Sequence, residues 1–241
     1  MNNLYTVILA AVLPPFALVA YVWWKDKYRR EPVKQLVRGF VYGVIAACFA
    51  SVIEMLLVVF CWVPTNPTNF FQAVWQGFVG AAIPEELVKL LMLRLLLRRN
   101  ENYDERFDGI VYAVCVGMGF AAYENIGYLF DNLDNWQSVA VGRAMFAVPG
   151  HFLFAVAMGY FLSAAYYGDI DWHKRFRVIW VPVMLHGIYD SLLFISNLSA
   201  MWSGIILVCF YVFCIKMLHY GHKRIEEHLD RDKKHLFKDS E

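Results

Sequence analysis

Glu85, Glu86 and Lys89, then Glu124 and Asn125, then Arg143 and His151, then His186 and Asp190 stand within long apolar runs of a chain of which only 18% is charged. An ionisable side chain near a bilayer centre costs at least about 2.5–3.5 kcal/mol on insertion scales, so each needs a partner, water or a task. Spacing suggests the partners. Glu85 and Lys89 are i,i+4 and Glu86 and Lys89 are i,i+3, so Lys89 is expected to neutralise one carboxylate and leave the other available. His186 and Asp190 are also i,i+4, which lets the carboxylate orient the imidazole, and Phe120 lies one turn before Glu124. Carboxylates and imidazoles gathered in a low-dielectric cavity can perform general acid and base catalysis. One carboxylate draws a proton from water, and hydrolysis then needs no protein nucleophile.

Other hydrolytic designs leave signatures that this sequence lacks. There is no HExxH and no GxSxG. Tyr189-Asp190 and Gly168-Asp169 faintly resemble a two-aspartate pair, but Asp169 falls in an expected loop. Two histidines with two or three carboxylates could alternatively hold zinc, although no compact ligand motif is present. A proton-coupled transporter could use the same acids as a relay, but no inverted repeat is visible. Individual residues have blander readings: an interior hydrogen bond for His151, a structural or pathway role for Glu54, snorkelling to the headgroups for Arg143, and an interfacial or re-entrant placement of the Glu85 segment.

The elements that must position these groups are apolar runs at about 4–24, 39–62, 70–97, 109–130, 139–167, 176–195 and 203–218. Each is near or above the length a helix needs to cross a bilayer, giving an all-α polytopic bundle of about seven spans. At about 1.5 Å per residue, Glu85, Glu124, His151 and His186 all fall roughly 15–25 Å along their spans, so four helices bring polar groups to similar depths. The runs 70–97 and 139–167 are long enough to tilt or break, and Pro84 suggests a kink or restart ahead of the glutamate pair. The connectors alternate: 25–38, 98–106 and 174–177 are rich in Lys and Arg, whereas 63–69, 131–138 and 196–201 have none. The positive-inside rule then places the N-terminus outside and the C-terminus in the cytoplasm.

Composition agrees with this reading. The 241 residues are 59% hydrophobic with net charge +1, which excludes disorder, argues against a water-soluble globule and offers no basic surplus for nucleic acid. The first run reads as a retained helix: it lacks a basic leader, contains Pro14 and Pro15, and is followed by Lys25, Lys27, Arg29 and Arg30. The five cysteines, Cys48, Cys61, Cys115, Cys209 and Cys214, form no CxxC pair and are expected to be buried free thiols. Gly39, Gly43, Gly77 and Gly80 suit close helix packing, and Trp23, Trp24, Trp62, Trp136 and Trp172 suit interfacial belts. Residues 1–218 are read as one membrane domain and 219–241 as a charged cytoplasmic tail, a short helix or frayed end.

Four ordered motifs, Pro84-Glu85-Glu86-Leu87-Val88-Lys89, Phe120-Ala121-Ala122-Tyr123-Glu124-Asn125, His151 leading to Gly159-Tyr160, and His186-Gly187-Ile188-Tyr189-Asp190, resemble those of the PrsW family of membrane proteases. Arg30-Glu31-Pro32 adds to the likeness, which runs from about Tyr28 to Phe194. The family sits within a superfamily of CAAX-processing and bacteriocin-processing proteases. The resemblance implies a glutamate-type endopeptidase in the cell membrane, requiring no cofactor, that makes the first cut in a membrane-anchored substrate such as a single-pass anti-sigma factor in a stress response. It implies Glu85 as water-activating base, Glu86 beside it, His186 and Asp190 as oxyanion stabiliser or proton shuttle, and Glu124 and His151 completing the cavity. Lys89, Asn125, Phe120 and Arg143 would support them. CAAX-processing relatives carry His where this chain has Glu124, and an Arg one residue beyond the position of Lys89, so Glu124 does not inherit a histidine's proton chemistry.

Overall fold

The computed structural model describes residues 4–238, with side chains through residue 236. It contains helices and turns and, among the described residues, no strand. The helices are α1 (Leu4–Lys25), α2 (Val33–Phe60), α3 (Phe70–Trp75), α4 (Ile83–Leu97), α5 (Arg106–Asp131), α6 (Trp136–Gly142), α7 (Val148–Tyr166), α8 (Arg177–Ser196) and α9 (Ala200–Lys238).

Two of these pairs are single helical rods with a local change of winding. A π-helical stretch, Gln76–Ala82, joins α3 to α4, and a second, Arg143–Ala147, joins α6 to α7. Each is followed by a proline near the start of the next helix, Pro84 and Pro149. Proline lacks the N–H that would continue the regular ladder, and widening the preceding turn accommodates this without ending the helix. The two runs expected to tilt or break therefore widen at these positions and continue.

Among the described residues, six helical stretches are long and apolar enough to cross a membrane. The seventh expected span, 70–97, is helical throughout, but Glu85, Glu86, Lys89 and Arg94 lower its hydropathy. Its connectors show that it too runs from end to end. Arg29 pairs with Asp104 at 2.7 Å, Arg106 with Asp169 at 2.9 Å, and Arg231 with Asp169 at 2.8 Å, so the Lys- and Arg-rich connectors and α9 meet at one end of the bundle.

α5 is the central pillar, buried along nearly all of its length from Phe107 to Ala122. It packs chiefly between α2 and α7, through contacts that only glycine permits. A Cβ on Gly43 would stand 2.0 Å from the Val116 carbonyl oxygen, and one on Gly159 would stand 2.3 Å from that of Gly109. Backbones can approach this closely only where side chains are absent. Gly77 and Gly80 serve similar contacts, the first against Ser191 of α8 and the second against Val63. The outer faces of α1, α2 and α9 expose large apolar side chains such as Leu9, Phe49, Met55, Val208 and Ile215, as a lipid-facing surface requires.

Two expectations are corrected. Cys115 is buried, but Cys48, Cys61 and Cys209 are exposed and Cys214 is intermediate, because an apolar sequence context cannot tell a lipid-facing surface from a core. Trp23, near the end of α1, donates through Nε1 to the Glu31 carbonyl oxygen at 3.1 Å. The tail is neither short nor frayed over its described residues. α9 continues through it, with Asp232 accepting from the backbone N–H groups of Arg106 and Phe107 at 3.0 and 2.8 Å.

Candidate active site

Glu85, Glu86 and Lys89 lie on the first turns of α4, just beyond the π-helical stretch and Pro84. All three are at least 95% buried. Lys89 Nζ donates to Glu85 Oε2 at 3.0 Å and to Glu86 Oε1 at 2.8 Å, and stands 3.3 Å from His151 Nδ1 on α7. It thus engages both carboxylates where the sequence suggested one. Its ammonium also lies 3.9 Å from the ring centroid of Phe120 on α5.

An ammonium can only donate, so His151 Nδ1 accepts and its proton resides on Nε2. Nε2 in turn donates to Glu124 Oε2 at 2.7 Å. The same oxygen accepts from Arg143 Nη2 at 2.9 Å, and Arg143 Nε donates to Asn125 Oδ1. Asn125 donates through Nδ2 to the Ala11 carbonyl oxygen of α1 at 2.9 Å, fixing this corner against the first helix. Arg143 does not snorkel. Its guanidinium lies over Tyr128 at 4.1 Å and points inward, because Glu124 and Asn125 offer acceptors there.

On the other side, His186 of α8 presents Nδ1 to Glu86 Oε1 at 3.0 Å and Nε2 to Asp190 Oδ2 at 3.2 Å. Nε2 is also 4.0 Å from Glu85 Oε2. With a carboxylate at each nitrogen, the ring donates to one neighbour when neutral and to both once it takes up a proton. Phe154, one turn beyond His151, stacks on the ring at 4.6 Å.

Every residue nominated from the sequence is therefore part of one hydrogen-bonded and stacked cluster drawn from α4, α5, α7 and α8 and from the π-helical stretch before α7. Four acids, Glu85, Glu86, Glu124 and Asp190, face two cations, Lys89 and Arg143, leaving capacity for a proton on His186 or for a bound cation. The cluster borders a cavity of ≈ 930 Å³ lined by Glu85, Glu124, His151, His186 and Asp190, and by Glu54 of α2. The cavity reaches Val63, Pro64 and Thr65 and Asp131, at the end of the bundle whose connectors lack Lys and Arg. Glu86 is fully buried behind Glu85 and leaves its Oε2 without a hydrogen-bond partner. Phe154 and Tyr128 carried no polar signal in the sequence; only their one-turn spacing from His151 and Glu124 placed them nearby.

One oxygen or nitrogen each from Glu85, His151 and His186 lie within 4.8 Å of one another. Two imidazoles and a carboxylate form a suitable donor set for a catalytic zinc ion. Both nitrogens of His151 are engaged, however, by Lys89 and Glu124, so coordination requires one of those neighbours to yield.

Comparison with known proteins agrees with the motifs. The family model described as "PrsW family intramembrane metalloprotease" matches residues 31–217. A protein named protease PrsW from Clostridioides difficile (strain 630) is 30% identical over 95% of this chain and 94% of its own. Its namesake from Geobacillus kaustophilus (strain HTA426) is 32% identical over 86% and 88%, and that from Bacillus subtilis (strain 168) is 32% identical over 79% and 84%. No solved structure matches the chain significantly.

Proposed function

This chain belongs to the PrsW family of intramembrane proteases, a peptidase and multi-pass protein of the cell membrane, and we propose that it cuts a membrane-anchored protein with a water molecule activated by Glu85. The observation that carries the assignment is the division of labour between the paired glutamates. Glu85 faces the cavity opposite His186 Nε2, whereas Glu86 is enclosed between Lys89 and His186 Nδ1. A general base must reach the water it deprotonates, and Glu85 does so while Glu86 holds its neighbours in place.

Glu85 takes a proton from water as the oxygen bonds to the scissile carbonyl carbon. The resulting oxyanion is stabilised by donors at the cavity wall, with protonated His186 the best placed. Collapse breaks the C–N bond, and the proton held by Glu85 or His186 passes to the leaving amine. Asp190 and Glu86 orient the imidazole from its two sides, and Glu124 and Arg143 hold His151 against Lys89. By family resemblance the substrate is a single-pass anti-sigma factor, and the cut is the first in regulated intramembrane proteolysis.

Glu85→Gln in purified, reconstituted protein is expected to lower cleavage of a transmembrane substrate by about 10²–10⁴-fold while the chain remains folded. Full activity in that variant would overturn the assignment. Comparing the membrane proteins cut in cells carrying the wild type or Glu85→Gln identifies the substrate.

A second reading is favoured by the mutual distances of Glu85, His151 and His186 and by the word metalloprotease in the matched family's description. In it these three residues hold zinc, which when bound would polarise the carbonyl and lower the pKa of water. Metal analysis separates the readings: stoichiometric zinc in active protein, lost with activity on chelation and regained with it, selects the second.

A further inference from the structure

A second group of buried acids lies far along α5 from the catalytic cluster, where the α1–α2 connector meets the start of that helix. Asp26, Glu105 and Asp108 are 1%, 6% and 0% exposed, and one oxygen from each lies within 4.8 Å of one another. Each uses one oxygen on the backbone. Asp26 Oδ2 accepts from the Glu31 N–H at 3.1 Å, and Asp108 Oδ2 accepts from those of Asp104 and Glu105 at 3.0 and 2.6 Å. Glu105 accepts from the Asp108 N–H in a reciprocal capping box. The other oxygens, Asp26 Oδ1, Glu105 Oε1 and Asp108 Oδ1, are buried without a hydrogen-bond partner.

Helix capping explains the first set of oxygens and not the second. A buried carboxylate oxygen without a donor is costly, and three together repel one another. Among the described residues no Lys or Arg forms an ion pair with Asp26, Glu31, Glu105 or Asp108. Arg29 is taken by Asp104, and Arg106 by Asp169 and Asp232. Glu31 accepts from the Tyr112 hydroxyl, and a proton shared between Glu31 and Asp108 would relieve that one pair. Asp26 and Glu105 would still lack an ion-pair partner.

We propose that Asp26, Glu105 and Asp108 bind a hard divalent cation that fastens the α1–α2 connector to the start of α5. The donors are all oxygen, which selects calcium, manganese or magnesium over zinc. A spacing of up to 4.8 Å suits ions with oxygen distances of about 2.3–2.6 Å without rearrangement, whereas magnesium would draw the ligands inward. The site is structural.

The test uses the full chain in detergent, stripped with a chelator and then supplied separately with Ca²⁺, Mn²⁺, Mg²⁺ or Zn²⁺. At about 100 times its Kd, one of the first three is expected to raise the melting temperature by about 5 °C or more. The rise should persist in Glu85→Gln, which removes a donor from the catalytic cavity and so separates the two sites. It should vanish in Asp26→Asn and in Glu105→Gln. Both variants keep a backbone-accepting oxygen and, having lost a repelling charge, should melt at or above the wild type in chelator. No response to any of the three ions, a response to Zn²⁺ alone, or a rise that survives both substitutions would overturn the proposal. Should neither variant fold, equilibrium dialysis of Glu85→Gln against Mn²⁺ decides, with about one ion per chain in support and none against.

Discussion

Lys89 is the residue on which the catalytic cluster turns. It contacts Glu85, Glu86, His151 and the face of Phe120, and its removal would leave two adjacent buried carboxylates without their shared cation. Breaking a buried ion pair from one side typically costs about 3–5 kcal/mol, whereas removing all the charged partners together is much milder. Lys89→Met is therefore expected to destabilise the protein by about that amount, and Glu85→Gln/Glu86→Gln/Lys89→Met by far less, as measured by unfolding in mixed detergents. Equal destabilisation of the two would show that Lys89 acts through packing. At this scale the sequence was informative where a charge was out of place: Glu85, Glu124, His151 and His186 stood out because their neighbours are apolar. Arg143 was harder to place, since its distance from the span end fits a headgroup contact as well as the inward bond to Glu124 that it makes. Asp26, Glu105 and Asp108 gave no signal at all, because acids in a polar connector are ordinary until folding buries them.

Helices reach these positions through the glycines of the central pillar. Gly119 on α5 approaches Phe40 on α2 so closely that a Cβ would stand 2.0 Å from the Phe40 carbonyl oxygen, whereas Gly127 on the same helix has nothing within 4 Å. Gly119→Ala must push α2 from α5, and overpacking of this kind costs about 1–3 kcal/mol or more. Gly127→Ala should be neutral or stabilise by up to about 1 kcal/mol, since alanine is the better helix former. Thermal unfolding of the two variants tests the contrast, and comparable melting temperatures would refute the packing argument. The helices were legible as apolar runs and the α2 side of the seam as Gly39 and Gly43 at helical spacing, whereas Gly119 and Gly159 have no glycine partner at that spacing to mark them. The π-helical turns were not, because Pro84 and Pro149 announce an interrupted ladder without saying whether the chain bends, breaks or widens. The structure widens, and so brings Glu85 and His151 onto the cavity without breaking either rod.

Across the whole molecule, the direction in which the cavity faces decides where cleavage occurs. Its lining includes Val63, Pro64 and Thr65 in the α2–α3 connector and Asp131 at the end of α5, whereas the Lys- and Arg-rich connectors are tied together at the opposite end. We propose from the positive-inside rule that this basic end lies in the cytoplasm, an orientation that would open the cavity toward the outer side. Replacement of Cys48, Cys61, Cys115, Cys209 and Cys214, followed by a single reporter cysteine, tests the orientation. Thr65→Cys should react with a membrane-impermeant maleimide in intact cells, and Asn102→Cys only after permeabilisation. The reverse pattern would place the cavity on the cytoplasmic side and require a substrate whose scissile bond lies there. It would also set the acid cluster of Asp26, Glu105 and Asp108 outside, where its cation would come from the medium.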